Sequence, residues 1–266
     1  MINFKTVEFS DPKWENAGLR FITVKSSCLQ GRGDICIYLP PSIQAVTEIP
    51  LVILLHGVYG SSWSWAFSGG AHELARTMIE NGEMRAMVIA MPSDGLWGDG
   101  SGYVPHDGKN FEKWIADEVP EAVLKSLPPG SSFSKMFIGG LSMGGFGALK
   151  IGVKYHDRFS AVSAHSSLTN LEQMSQFVEE DVANYRQNDS SEIDILQTIL
   201  KYQTQLPALR FDCGNYDALI GENRQLHEQL LWNNIPHEYT ESDGGHDWGY
   251  WHRQLKESFR FFDCQL

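Results

Sequence analysis

Positive charge is scarce in this sequence. The chain carries 21 Lys and Arg against 33 Asp and Glu, a formal net charge of −12. A surface of that sign repels phosphate backbones and anionic headgroups, which argues against nucleic acid or a membrane surface as partner. Long apolar runs are missing too. No stretch approaches the roughly 18 residues of a membrane span, and the start, Met-Ile-Asn-Phe-Lys-Thr-Val-Glu-Phe-Ser, has no apolar core of signal-peptide length. The expectation is a cytoplasmic protein. Cysteine is confined to Cys28, Cys36, Cys213 and Cys264, with no Cys-x-x-Cys and no metal-like spacing. Free thiols are expected, with a Cys28–Cys36 disulfide across a hairpin as the alternative. The histidines lack His-x-x-x-His spacing, so neither a metal site nor a cofactor is expected. What is left is a globular chain of 266 residues, 42% hydrophobic and 20% charged, long enough to bury a substantial core.

Strand and helix patterns alternate along it. Residues 18–25 and 33–39 read as an antiparallel edge hairpin closed by Pro40-Pro41. Leu51-Val52-Ile53-Leu54-Leu55 is a continuous apolar run, the mark of a strand covered on both faces. A helix is predicted over 71–80 and a strand over 86–91, followed by a long Gly- and Asp-rich loop to Lys109. Then come a helix over 110–127, a strand ending at Ile138, and a further strand over 159–164. Strands over 206–213 and 237–241 alternate with helices over 221–233 and 248–262. Residues 168–205 have no strand pattern and read as two or three short helices, a small helical cap over the strand ends. The fold class is therefore α/β: a mostly parallel eight-stranded sheet with an antiparallel N-terminal hairpin and helices on both faces. One domain spans 1–266, with the cap inserted at 168–205; no internal repeat or linker divides it.

The chemistry concentrates at Gly140-Leu141-Ser142-Met143-Gly144, the Gly-x-Ser-x-Gly pattern of a nucleophile elbow, between a strand and an Ala/Leu/Lys helix. A sharp strand-to-helix turn strains the serine backbone and leaves no room for side chains two residues either side. It exposes the Ser142 hydroxyl and frees the first N–H groups of the helix for a developing oxyanion. A serine hydroxyl needs an imidazole to take its proton, and the imidazole a carboxylate to hold its tautomer. Of the later histidines, His227 and His252 lie on helices and His237 in a strand; His246 stands in a Gly-rich loop, Ser-Asp-Gly-Gly-His-Asp-Trp. Asp217, just past a strand in Cys-Gly-Asn-Tyr-Asp, is the favoured acid, with Asp212 and Asp243 as competitors. The second oxyanion donor should come from the loop after Leu55, where Gly57 permits close approach and the Val58 N–H would join that of Met143. His56 reads as a structural residue of that loop. Trp63, Trp65, Trp97 and Trp248 are candidates to line a substrate pocket with Gly57, against core packing as the plain alternative.

His56-Gly57 with Gly60 and Trp63, Gly-Leu-Ser-Met-Gly-Gly-Phe-Gly-Ala-Leu, Cys-Gly-x-x-Asp, and Gly-Gly-His-Asp-Trp-x-x-Trp together resemble the esterase D group of α/β-hydrolases over about residues 18–262. That group includes S-formylglutathione hydrolases, tributyrin-type acetyl esterases, feruloyl and acetylxylan esterases and mycolyltransferases. The resemblance implies a triad of Ser142, Asp217 and His246 with oxyanion donors at Val58 and Met143. It is nearest to the tributyrin- and feruloyl-type esterases. S-formylglutathione hydrolases usually carry Ser-Gly-Leu-Thr-Cys where this chain has His-Gly-Val-Tyr-Gly. The implied activity is a serine carboxylesterase acting on a small-molecule ester with a short acyl group, acetylated or feruloylated sugars included. A thioesterase of the S-formylglutathione hydrolase kind is the alternative, and a non-catalytic carbohydrate-binding module a third reading. The sequence does not reveal subunit number, and a homo-oligomer is among the readings it allows.

Overall fold

The apolar run at 51–55 lies in the central strand of the sheet in the computed structural model, which describes residues 4–45 and 47–266. Successive side chains of a strand point to opposite faces. Leu51, Ile53 and Leu55 accordingly enter one apolar core, and Val52 and Leu54 the other. The strands are β1 (Val7–Phe9), β2 (Leu19–Ser26), β3 (Gly31–Tyr38), β4 (Glu48–Leu55) and β5 (Val88–Pro92), then the small hairpin β6 (Pro105–His106) and β7 (Lys109–Asn110). They continue as β8 (Ser132–Leu141), β9 (Phe159–His165), β10 (Ala208–Gly214) and β11 (Glu238–Ser242). The main sheet runs β1-β2-β3-β5-β4-β8-β9-β10-β11. Pairing is antiparallel from β1 to β5 and parallel from β5 to β11. The sequence reading expected eight strands; the ninth is β1, whose three residues are too short to carry a pattern and pair with 22–24 of β2.

The helices are α1 (Ser64–Phe67), α2 (Ala71–Glu80), α3 (Phe111–Lys113), α4 (Val119–Lys125), α5 (Met143–Lys154), α6 (Ile195–Lys201), α7 (Ile220–Trp232) and α8 (Trp248–Cys264). Apolar residues of α4 to α7 cover one face of the sheet, and those of α2 and α8 the other. The single helix expected over 110–127 is broken by a π-turn, Trp114–Glu118. Pro120 has no N–H to give the Ala116 carbonyl, which accepts instead from Arg158 Nη1 at 3.2 Å. In 168–205 the short helices resolve into three 3₁₀ turns, Leu171–Gln176, Val182–Tyr185 and Ser190–Glu192, followed by α6. Asn170, Asp181 and Asp189 cap the three turns with a side-chain oxygen and Asp194 caps α6 in the same way, so the backbone restarts every few residues. All four cysteines are free thiols; Cys28 and Cys36 are not joined.

Lys150, on α5, is completely buried, which nothing in the apolar pattern announced. Its ammonium bonds to Glu112 and, at 3.3 Å, to Glu192. Lys154 and the Tyr155 hydroxyl reach the other Glu112 oxygen at 3.0 and 2.9 Å. Burial alone would raise the Glu112 carboxyl, but the two ammonium groups outweigh it and hold it well below the usual carboxylate range. A carboxyl depressed on folding contributes stability above its unfolded pKa, and that contribution is lost as pH falls towards the folded value. Stability from urea unfolding should therefore fall on acidification below about pH 5, and Glu112→Gln should flatten that part of the profile. Lys150→Met should cost about 3–5 kcal/mol at neutral pH, because it strips a partner from a buried carboxylate; a loss under 1 kcal/mol would contradict this account.

Candidate active site

Strand β8 runs straight into Ser142, whose backbone sits at φ 55°, ψ −122° before α5 begins. The residue still belongs to the ladder: its N–H donates to the His165 carbonyl of β9 at 2.9 Å. Sterics explain the flanking glycines. A β-carbon at Gly140 would run into the Gly144 carbonyl, and one at Gly144 into the carbonyls of Leu55 and His56. Gly57 is equally constrained, since a β-carbon there would lie 2.9 Å from Leu141 Cδ1 and 3.2 Å from Ser142 Cβ. The Gly145 and Phe146 N–H groups bond back to the Ser142 carbonyl. Those of Val58 and Met143 have no acceptor among the described residues, leaving two donors free beside the serine.

The imidazole arrives from the loop between β11 and α8. Gly244, at φ 145°, lets the chain turn, and Asp247 caps α8 by accepting from the Tyr250 N–H at 3.0 Å. His246 is thus held between a strand end and a helix start. The β10–α7 loop is tied to the same segment, with Asn215 N–H donating to Ser242 and Tyr216 N–H to Gly244 at 2.9 and 3.0 Å. This brings Asp217 to the ring. Ser142 Oγ lies 3.0 Å from His246 Nε2, and His246 Nδ1 lies 2.9 and 3.1 Å from the two Asp217 oxygens. Burial would raise the Asp217 carboxyl, but the bond from His246 and that from the Leu219 N–H prevail and hold it below its ordinary value.

The competing residues are engaged elsewhere. Asp212 is fully buried, accepting from His165 Nδ1 at 2.8 Å, Arg210 Nη1 at 2.5 Å and the Tyr250 hydroxyl at 2.8 Å. Asp243 contributes its backbone carbonyl, which accepts from Arg253. His56 donates from Nδ1 to the Gly57 carbonyl at 2.7 Å and accepts the Asp94 N–H on Nε2 at 3.0 Å, so both ring nitrogens serve the loop. His227 and His237 bond to each other at 2.8 Å, and His252 to the Gly69 carbonyl at 2.7 Å.

Ser142 and His246 open into a cleft of about 460 Å³ walled by Val58, Tyr59, Trp63, Phe177, Trp248 and Trp251. Of the four tryptophans taken as pocket candidates, Trp63 and Trp248 line it, together with Gly57. Trp65 and Trp97 do not. Trp65 is buried beneath, its indole N–H donating to Leu55 at 2.9 Å. Trp97 packs edge-on to His106 and Tyr185 and donates to Asp107 at 3.1 Å. Sequence reasoning missed Phe177 and Trp251. The three-residue spacing of Trp248 and Trp251 puts them on one helix face and was a usable signal; Phe177, in an irregular segment, gave none.

A family model described as "Putative esterase" matches residues 26–262. An acetyl esterase of Caldicellulosiruptor saccharolyticus is 30% identical over 233 residues, 80% of this chain and 83% of that protein. An S-formylglutathione hydrolase of Arabidopsis thaliana is 29% identical over 147 residues, 50% of this chain and 51% of that protein. A solved ferulic acid esterase shares the fold with a TM-score of 0.79 at 24% identity, covering 98% of this chain and 99% of its own. An S-formylglutathione hydrolase from Agrobacterium tumefaciens does so at 0.75 and 16% identity over the whole of both chains.

The steric account of the elbow predicts that Gly144→Ala, though a minimal change, destabilises the protein by about 3 kcal/mol or prevents soluble folding. Urea unfolding indistinguishable from the parent protein would refute it.

Proposed function

The chain belongs to the esterase family, and we propose that it is a serine carboxylesterase hydrolysing short-chain acyl esters, acetyl esters foremost, through an acyl-enzyme on Ser142. The observation that carries this reading is the unbroken hydrogen-bonded path from Ser142 through His246 to Asp217. In the first half-reaction the Ser142 oxygen attacks the acyl carbon while His246 Nε2 takes its proton. The Asp217 carboxylate keeps the other proton on Nδ1 and steadies the imidazolium. The free N–H groups of Val58 and Met143 would receive the oxyanion, each such donor being worth roughly 3 kcal/mol in the transition state. His246 then passes its proton to the departing alcohol. Water, deprotonated by the same nitrogen, releases the acid in the second half-reaction and restores Ser142.

The cleft favours a neutral ester. Aromatic rings of Tyr59, Trp63 and Trp248 offer flat apolar walls suited to sugar or phenolic faces. Among the described lining residues there is no Lys or Arg, and Asp247 adds a negative group. A glutathione thioester brings two carboxylates, which would find no cation there and a net charge of −12 around them. The thioesterase reading is supported by the S-formylglutathione hydrolase relative, and direct competition between p-nitrophenyl acetate and S-formylglutathione separates the two.

Ser142→Ala should abolish ester hydrolysis with the far-UV spectrum unchanged; turnover near that of the parent protein would remove the reading. Asp217→Asn should lower kcat by roughly 10³–10⁴, since the imidazole then favours the wrong tautomer. His246→Ala should lower kcat about as far as loss of Ser142 does, since the hydroxyl then has no base to take its proton. Turnover near that of the parent protein would exclude His246 as the base.

A further inference from the structure

His246 is held unequally at its two ends. Nδ1 faces a buried carboxylate, and that bond persists through the reaction. Among the described residues, Nε2 is held at 3.0 Å only by the hydroxyl it deprotonates. Once Ser142 is acylated its oxygen has no proton to give, and no other polar group among the described residues secures the Nε2 end while water must be activated. What remains is aromatic contact. The Phe177 ring lies nearly parallel to the imidazole, 18° from coplanar with centroids 5.5 Å apart, and Trp251 meets it at 85° and 5.0 Å. Both rings also line the cleft.

Phe177 is itself well placed to resist movement. Its N–H donates to the Met174 carbonyl at 2.8 Å, which fixes the end of a 3₁₀ turn. Two residues on, the Glu179 N–H donates to Asp99 Oδ2 at 2.8 Å, and the Asp99 N–H returns a bond to Glu180 Oε1 at 3.0 Å. Asp99 in turn accepts from Tyr59, its carbonyl from the N–H at 2.8 Å and its carboxylate from the hydroxyl at 3.0 Å. The segment bearing Phe177 and the loop bearing Val58 are therefore fastened to the same residue.

We propose that Phe177 is a positioning residue for His246, a flat plate that stops the imidazole pivoting out of plane about Nδ1 when the acyl-enzyme has removed its bond to Ser142. This gives the 168–205 segment a part in the reaction, and it rests on the esterase reading above. The effect is concentrated in deacylation, the step in which Nε2 is otherwise unheld. A tilt of the ring misplaces the water it activates, and misplacement of reacting groups costs about tenfold or more in rate.

The test is the decay of the acetyl-enzyme formed with p-nitrophenyl acetate, followed by mass spectrometry of quenched samples, beside steady-state kinetics. In Phe177→Ala, decay should slow about tenfold, with acyl-enzyme accumulating during turnover and kcat and KM falling together. Phe177→Tyr, which keeps the ring, should decay like the parent protein. Phe177→Leu, which keeps bulk without a flat face, should behave like the Ala variant. Unchanged decay in Phe177→Ala overturns the proposal, as does parent-like decay in Phe177→Leu. So does a fall in kcat at constant KM, which marks general damage to the site. Failure of the parent protein to form an acyl-enzyme on Ser142 would instead sink the esterase reading.

Discussion

A serine at φ 55° and ψ −122° occupies a backbone region that an L-residue leaves at the first opportunity. Here it has none. Its N–H is tied into the ladder with β9, its carbonyl accepts from Gly145, Phe146 and, at 3.3 Å, Leu168, and strand and helix on either side are buried. The strain is carried by the sheet, and the sheet is rigid because both its faces are packed. Everything specific about the site follows from that imposed turn: the hydroxyl turned towards His246, the Met143 N–H left without an acceptor among the described residues, and the glycines that let the loop after β4 come within contact of Ser142.

The partners of Ser142 are positioned by a different kind of force. Asp217 and His246 come from successive strand ends, and backbone hydrogen bonds between 215–216 and 242–244 fasten the two loops together. Below them Asp212 collects His165, Arg210 and Tyr250, linking β9, β10 and α8 through one buried carboxylate. A buried charge satisfied on all sides is costly to disturb and admits one arrangement of its neighbours. The Glu112–Lys150–Glu192 cluster does the same on the opposite face, joining α5 to α3 and to the 168–205 segment. Polar groups inside this protein thus sit where elements that carry the site must keep their spacing.

The aromatic residues show how one residue type serves two ends. Trp65 and Trp97 have apolar bodies and N–H groups satisfied by protein acceptors, and both support loops from behind. Trp63, at the start of α1, and Trp248, at the start of α8, present their rings to the cleft instead. Composition and spacing treat the four alike. Which way each ring faces depends on where its backbone leaves the sheet, and that depends on packing far away in the chain.

Local sterics and local chemistry made Ser142, the flanking glycines, His246 and Asp217 readable as candidates, because a tight turn, a Gly-rich loop and a strand end each leave their mark within a few residues. The buried run of β4 and the alternation of strands and helices were readable for the same reason, burial on two faces being a property of consecutive side chains. Three things are visible only in the tertiary structure. Pairing of β1 needs its partner strand to be recognised at all. That Asp212 is engaged by His165, Arg210 and Tyr250 while Asp217 faces His246 is a matter of which distant groups meet each carboxylate. The place of Phe177 against His246 joins two residues 69 positions apart by direct ring contact, and no local rule of backbone or side chain encodes a meeting of that range.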